Sequence, residues 1–341
     1  MAQAYVDVSS SRLPALRREW ITQVRTRSVL VATWAVLSIV AGQQLLGDSP
    51  DLLNYLAFYN SIGPFFDYEN SRFEYGYQFF AWLAVRIGLD YFAFTTVLVS
   101  VSLACKFYLF ERYLASPLLA ALTYVLGFYL LHEYTQVRAA VGIGFALLGI
   151  HAMLERRWVA FAVLSLVGIF FHYSMIVMPV VALASRQIKG LPILAAGGVV
   201  LLVGFALLSL FREPLVELAS FLNPLASAYI YNDANVDTAN ILSFASIMTV
   251  GIIGWKILDP NTYSKEYLRT FFGMALASYM ALVLLQDSLE LALRLRDALQ
   301  ISLVFLVFRE PLTLRQWPVV GLWFLTAAYL FYLYSTSQVL T

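Results

Sequence analysis

Charged residues are scarce in this chain: Asp, Glu, Lys and Arg make up 13% of its 341 residues, and the formal net charge is +1. A balance so close to neutral gives no reason to expect nucleic-acid binding. Cysteine is nearly absent as well, and the lone Cys105 excludes a disulfide framework and a thiolate metal cluster. The chain also lacks a P-loop, a nucleophile elbow and spaced metal ligands, so we expect chemistry that needs neither a metal nor a bound cofactor.

Hydrophobic residues, by contrast, make up 61% of the chain, and its mean hydropathy is +0.75. No water-soluble domain could cover that much apolar surface. Apolar runs long enough to cross a bilayer recur at residues 29–46, 91–110, 191–210 and 318–334. The composition therefore predicts an all-α, polytopic integral membrane protein, with a single transmembrane domain over residues 1–341 and about 10–11 spans.

The distribution of Arg and Lys predicts which way the spans run, because these residues stay preferentially on the cytoplasmic side. The basic segment 1–27 precedes the first apolar run, which predicts a cytoplasmic amino terminus and an uncleaved first span. The loops 48–90 and 212–240 are then expected outside, on the periplasmic side. The basic clusters 106–112 and 155–157 are expected inside.

Two segments do not fit a simple count of crossings. Residues 77–89 are too short to span and have no crossing to make, which predicts a re-entrant or interfacial helix on the outer side; a short true span is the alternative. Residues 158–185 have basic residues at both ends. This predicts two short helices that run outward and return near His172, with a single tilted span as the alternative.

Arg138 and His172 lie within long apolar stretches, where an ionisable side chain is costly and usually faces a cavity or a partner. In the predicted topology they share the outer side with Glu74, which opens the re-entrant segment, and with Arg294. Packing alone could also explain His172, and the positive end of a helix dipole could explain Glu74. We expect an external cavity at membrane level, to which neighbouring polar residues contribute: Tyr77, His132 and Gln136. Arg296 could simply pair with Asp297 or Glu290.

Two arginines at the lipid–water boundary suit a lipid-linked diphosphate, because a planar guanidinium can hold phosphate oxygens with two parallel hydrogen bonds. This predicts substrate binding by Arg138 and Arg294. A carboxylate or an imidazole beside them could take the proton from a sugar hydroxyl. We expect Glu74 to activate the hydroxyl, because it starts from the outer loop, and His172 to contact phosphate or support Glu74. The two catalytic roles could also be reversed.

These residues form a pattern that resembles the EpsG family, Wzy-like polymerases of bacterial exopolysaccharide and O-antigen. The resemblance covers residues 48–300, with two departures: Tyr75 stands where the family usually has Pro, and Ala139 rather than Gln follows Arg138. The matching pieces are Asp51-x-x-x-Tyr55, Glu74-Tyr75-Gly76-Tyr77, Arg138 at the opening of an apolar helix, Phe171-His172-Tyr173-Ser174, and Arg294.

The resemblance implies a glycosyltransferase with a GT-C-like fold in the bacterial inner membrane. It would polymerise undecaprenyl-diphosphate-linked oligosaccharide repeat units on the periplasmic face, by an inverting transfer, with such lipids as both donor and acceptor. A chain-length regulator and a flippase would be further partners besides the membrane lipids. The alternatives are a transporter or flippase of lipid-linked oligosaccharide and an O-antigen ligase-type transferase. A transporter should show inverted repeats, and none is visible in the sequence.

Overall fold

The structure is a computed structural model that describes residues 9–66, 73–187, 244–259, 261–285, 289–310 and 317–336. Every regular element in these residues is a helix, which confirms the predicted all-α class. The elements are α1 (Ser9–Gly42), α2 (Leu52–Ser61), α3 (Tyr75–Arg86), α4 (Tyr91–Tyr113), α5 (Pro117–Tyr124), a π-helix (Val125–Thr135), α6 (Val137–Leu154), α7 (Trp158–Phe171), a 3-10 turn (Tyr173–Ile176), α8 (Val177–Ser185), α9 (Phe244–Ile257), α10 (Asn261–Ser264), α11 (Glu266–Leu284), α12 (Leu289–Gln300), α13 (Ser302–Val307) and α14 (Trp317–Thr336).

Four of the described helices are long and apolar enough to cross a bilayer: the Gln23–Gly42 part of α1, α4, α6 and α11. Shorter apolar helices of 10–17 residues, α7 among them, lie beside these four. Together they confirm a polytopic integral membrane protein. The predicted total of spans also depends on residues 191–210, which, like the predicted outer loop 212–240, lie outside the described residues.

Ion pairs join the helix ends at one end of the bundle, which we call the basic end. Arg27 of α1 pairs with Glu111 of α4 at 2.6 Å, and Arg112 contacts Glu155, just after α6, at 3.4 Å. These contacts place the carboxyl ends of α4 and α6 side by side. Further basic residues with an ion pair or a hydrogen bond to this set of helix ends are Arg156, Arg186, Lys265 and Arg309.

The helices α7 and α8 form a hairpin whose two open ends meet at the basic end. Arg156, before α7, and Arg186, after α8, pair with the same carboxylate of Glu266 at 2.8 and 2.6 Å. The chain turns back at His172, where the backbone is extended (φ −158°, ψ 114°). This confirms the predicted hairpin, because a single helix over these residues would hold the two arginines roughly 45 Å apart.

Helix α3 is too short to cross the membrane. Its 12 residues make about 18 Å of helix, against a hydrocarbon core of about 30 Å. Tyr77, near its start, contacts Phe94 in the first turn of α4, with ring centres 5.6 Å apart. Asp90, four residues after its end, caps α4 by accepting from the Ala93 N–H at 2.7 Å. Both ends of α3 therefore lie beside the start of α4, and its re-entrant or interfacial position stays a prediction.

The helices α4, α6 and α7 pack closely through glycines. A side chain at Gly144 would meet the Cβ of Cys105 at 3.2 Å, and one at Gly168 would meet the carbonyl oxygen of Gly142 at 2.8 Å. Small residues let helix backbones approach each other, which is the use that Gly142-x-Gly144 suggests. This packing fixes α6, with Arg138 in its first turn, against the hairpin that turns at His172.

Between α5 and α6 the helix widens into the π-helix, an element that no sequence feature predicts. Its hydrogen bonds run five residues back, as in the bond from the Gln136 N–H to the Leu131 carbonyl at 3.0 Å. Such elements are rare, and single turns of them occur frequently at functional sites. The helical backbone breaks at Gln136 (φ −102°, ψ 54°) before α6 begins at Val137. Arg138 thus follows directly after an irregular junction.

Candidate functional site

Glu74 holds two distant side chains together at the start of α3, and only 7% of its surface is exposed. Its Oε1 lies 2.6 Å from Nδ1 of His172, and its Oε2 accepts a hydrogen bond from Nη1 of Arg138. Both carboxylate oxygens are therefore engaged. We call Glu74, Arg138 and His172 the site cluster.

The charge of Glu74 is set by opposing effects. Burial raises its pKa, but the hydrogen bond from His172 and the positive charge of Arg138 outweigh burial, so the pKa of Glu74 is lowered from its ordinary value. Glu74 is therefore a carboxylate at neutral pH and can only accept hydrogen bonds. It follows that Nδ1 of His172 is the donor in this pair, so the acceptor lone pair of the neutral ring is on Nε2.

Arg138 is the second residue of α6 and is held from two sides. Besides its bond to Glu74, its Nε donates to the hydroxyl of Tyr55 on α2 at 3.0 Å. Its guanidinium carbon lies 4.7 Å from the centre of the Phe73 ring, within cation–π range. A guanidinium has five N–H donors, so these contacts orient Arg138 without using all of its hydrogen-bonding capacity.

A cavity of about 40 Å³ opens beside the site cluster. Arg294 of α12 lines it, so a helix from late in the chain brings a second guanidinium to Arg138 and His172. The lining carries two guanidinium groups and an imidazole against the single carboxylate of Asp51, so its cationic groups outnumber its anionic one and favour an oxyanion as ligand. The remaining lining residues are Asp51, Tyr55, Gln136 and Ala139.

The residues that form this cavity belong to a segment that matches a known family: the EpsG family model matches residues 29–341, nearly the whole chain. The chain belongs to the EpsG family. Membership supports, in broad terms, the function of an exopolysaccharide polymerase, a glycosyltransferase-like enzyme embedded in a membrane. No curated protein and no solved structure matches the chain. The GT-C-like fold that the resemblance implies therefore stays a prediction.

In this EpsG-family protein the cavity and the site cluster bring together most of the residues that the sequence singles out, namely Glu74, Gln136, Arg138, His172 and Arg294. Their predicted roles stay predictions, because contact geometry alone does not assign them. Arg296 pairs with Asp297 at 2.6 Å, one of the two partners that the sequence offers it.

Two predicted binding residues, Tyr77 and His132, do not line the cavity and are each 1% exposed. Tyr77 packs against aromatic rings, including that of Tyr55 at 5.5 Å between ring centres. His132 stacks on Phe128 at 5.6 Å, and neither of its ring nitrogens has a hydrogen-bond partner among the described residues. The structure places both in the core and does not support their predicted part in substrate binding.

Lys106 differs from Arg112 in its surroundings, although both belong to the basic cluster 106–112, whose cytoplasmic position stays a prediction. Arg112 lies at the basic end, but Lys106 is completely buried. Its ammonium donates to Glu133 at 2.5 Å and to the Ala140 carbonyl oxygen at 3.1 Å. An ammonium can remain inside the bundle because these oxygens replace water, so a lysine near a helix end need not mark the membrane surface.

Asp51 and Tyr55 line the cavity, although the sequence suggested no role for them beyond the family resemblance. They lie four residues apart, the spacing that places two side chains on one face of a helix. That spacing, in the predicted outer segment that also holds Glu74, is the signal that could have identified them.

Proposed function

We propose that this protein polymerises lipid-linked oligosaccharides on the outer face of the bacterial inner membrane. The terminal hydroxyl oxygen of an incoming undecaprenyl-diphosphate-linked repeat unit attacks C1 of the sugar that joins the growing chain to its lipid diphosphate. A glycosidic C1–O bond forms, the C1–O bond to the diphosphate breaks, and the lipid diphosphate leaves with the electron pair, with inversion at C1. The observation that carries this proposal is the cavity in which Arg138, His172 and Arg294 meet beside ionised Glu74.

In this proposal Arg138 and Arg294 bind the diphosphate. Negative charge grows on the diphosphate as its bond to C1 breaks, and fixed cations stabilise such charge best when they need no reorganisation. The bonds of Arg138 to Glu74 and Tyr55 provide that rigidity. The cavity is far smaller than the about 300 Å³ of ordinary ligand sites, so it would take the diphosphate while the sugars extend towards the outer loops.

His172 is the group that we propose to take the hydroxyl proton. Glu74 accepts from its Nδ1–H, which orients the ring and would stabilise the imidazolium, as a carboxylate does beside the histidine of a catalytic triad. Glu74 itself has both oxygens engaged and a lowered pKa, two properties of a poor proton acceptor. The geometry therefore favours the reverse of the roles expected from the sequence.

An apolar groove of about 320 Å³ adjoins the site cluster and suits the lipid chain. Tyr75 and Phe171, which line it, directly neighbour Glu74 and His172 in the chain, so the groove begins where the site cluster ends. Gly76 keeps its walls, α3 and α7, in contact, because a Cβ there would lie 2.7 Å from the Phe170 carbonyl oxygen. We propose that the isoprenoid chain occupies this groove while its diphosphate meets Arg138.

The basic end is proposed to face the cytoplasm, because Arg and Lys favour that side. Helix α7 has 14 residues, so His172 lies about 21 Å from the basic end, towards the far boundary of a core about 30 Å thick. A Gln187→Cys substitution in a Cys105→Ser background tests this orientation. An impermeant thiol reagent should label the new cysteine only after lysis, and labelling in intact cells would invert the orientation.

The decisive experiment supplies the purified protein, in lipid nanodiscs, with lipid-linked repeat units and no energy source. A ladder of glycans that is absent with His172→Ala supports the polymerase. Movement of lipid-linked sugar between leaflets of proteoliposomes without new glycosidic bonds would assign a transporter instead. Transfer of a single unit to a lipid A core, without a ladder, would assign an O-antigen ligase-type transferase.

A further inference from the structure

A second charged cluster lies within the bundle and takes no part in the proposed chemistry. Lys106 and Glu133 are both fully buried and form an ion pair at 2.5 Å. The hydroxyl of Ser102 accepts from Lys106 at 2.7 Å and donates to Glu133 at 2.9 Å. The hydroxyl of Tyr124 donates to the other oxygen of Glu133. We call these four residues the sealed cluster.

The π-helix is what allows the sealed cluster to form. Tyr124 and Glu133 are nine residues apart and hydrogen-bonded. In an α-helix of 3.6 residues per turn, nine residues make two and a half turns, which would place the two side chains on opposite sides. A π-helix has about 4.4 residues per turn, so nine residues complete about two turns and share one face.

The sealed cluster also touches the element that carries the site. Lys106 donates to the carbonyl oxygen of Ala140, which lies in the first turn of α6, two residues after Arg138. Close packing of α6 on α4 supports this contact. A Cβ placed on Gly144 of α6 would lie only 3.3 Å from the Ser102 carbonyl oxygen of α4. The cluster thus joins α4, the π-helix and α6 across the irregular junction at Gln136, and Gln136 lines the cavity.

Stability alone is a weak reason for such a cluster. Burying an ion pair has a desolvation cost that its attraction only partly offsets, and apolar replacement of a whole buried pair is often neutral or stabilising. Ionisable groups at membrane depth are usually tied to function. Among the described residues all four members of the sealed cluster are 0% exposed, so we expect the cluster to act through what it holds in place.

We infer that Lys106 and Glu133 are positioning residues for the site: they fix the junction at Gln136 and thereby the first turn of α6, which aims Arg138 at the cavity. This inference rests on the proposed role of Arg138 in binding the lipid diphosphate. Its effect is transmitted through backbone position, because Lys106 contacts the Ala140 carbonyl and not the guanidinium.

The test combines an apolar variant of the sealed cluster with Arg138→Lys and measures the affinity for undecaprenyl diphosphate in nanodiscs. The apolar variant carries Lys106→Met, Glu133→Leu and Tyr124→Phe together, so that no charge or phenol is left buried without a partner. We expect it to bind the lipid about tenfold more weakly than wild type, and to show less than about a twofold effect when Arg138→Lys is already present. Melting temperatures show that each variant is folded.

Tyr129→Phe is the matched control, since Tyr129 is a buried phenol of the same π-helix that donates to the Leu37 carbonyl at 2.7 Å. It should leave lipid binding unchanged in both backgrounds. An equal loss of affinity with and without the Arg138→Lys substitution, or no loss at all in a folded apolar variant, would overturn the inference. Because binding is measured without turnover, a wild type that binds the lipid but forms no glycan would refute the polymerase proposal and leave this one standing.

Discussion

Two buried ion clusters lie near the start of α6 in the part of the chain that the structure describes, and they differ in what their charges face. In the site cluster, the side chains of Arg138 and His172 are 17% and 11% exposed and line a cavity. In the sealed cluster, the side chains of Lys106 and Glu133 are 0% exposed. Both satisfy their charges with partners of opposite sign, as a low-dielectric interior demands. The difference is that only the site cluster leaves donors for a ligand, so only it can bind a substrate.

The choice of residues fits this difference. Arginine remains charged and keeps several fixed N–H donors after it has made an ion pair, whereas a lysine has three donors on one nitrogen. All three directions around the Lys106 ammonium are taken, by Glu133, Ser102 and the Ala140 carbonyl. Substitutions in the site cluster and in the sealed cluster should therefore change activity and binding to different degrees.

The largest expected effect is that of His172→Ala. Loss of the proton acceptor should lower kcat by about 10³-fold, within the usual range for a general base. Glu74→Gln should lower kcat less, by about tenfold to hundredfold, because the amide oxygen can still accept from Nδ1 while the charge beside Arg138 is lost. Turnover of lipid-linked repeat units per folded protein is the measurement. A His172→Ala enzyme more active than Glu74→Gln would return the base to Glu74.

The next effect is that of lysine at the two cavity arginines. Arg138→Lys and Arg294→Lys should each lower kcat/KM by about hundredfold, because a point charge cannot replace a planar pair of donors on a diphosphate. Arg296→Lys is the matched control on the same helix, since Arg296 pairs with Asp297 and does not line the cavity. The assignment fails if both cavity variants polymerise at the wild-type rate, or if the control loses as much as they do.

A smaller effect concerns acid stability. The pKa of Glu74 is lowered in the folded protein, so its ionised form contributes stability at pH values above the unfolded pKa, about 4.3. That contribution should be lost as the pH falls through the lower, folded pKa. Melting temperatures in detergent from neutral pH down to about pH 3.5 should therefore fall more steeply for wild type than for Glu74→Gln. Parallel curves for the two proteins would show that Glu74 is not a stabilising carboxylate.

The smallest effect is expected at the apolar groove. Phe80→Ala should raise KM by about fivefold for a donor with the full undecaprenyl chain and leave KM unchanged for a donor with a short isoprenoid. The reason is that only the long chain buries a few methylene groups against Phe80, and this burial contributes to its binding. Leu325→Ala, at an exposed position of α14 outside the groove, serves as the control. An equal rise in KM for both donors would place the lipid chain elsewhere.

Part of this organisation could be predicted because it depends on local properties. Arg138 and His172 can be recognised in the sequence because they interrupt apolar runs, whatever the fold. Basic residues at both ends of residues 158–185 predicted the hairpin. Lys106 shows the limit of that reasoning, because a lysine near a helix end can lie at the surface or inside. Whether Lys106 has Glu133 within hydrogen-bonding distance depends on how the helices pack together, and the spacing of residues in the sequence does not show this.

By itself the sequence determined the helical membrane class, the hairpin, the short helix after Glu74 and the few ionisable residues within apolar runs, since hydropathy and charge patterns are properties of each segment taken separately. Only the tertiary structure decided which of these residues meet. Glu74 contacts Arg138 at a separation of 64 residues and His172 at 98. The π-helix rotates Glu133 towards Lys106, and Tyr77 lies in the core. These outcomes depend on close packing between helices, where a shift of one residue in register changes every partner.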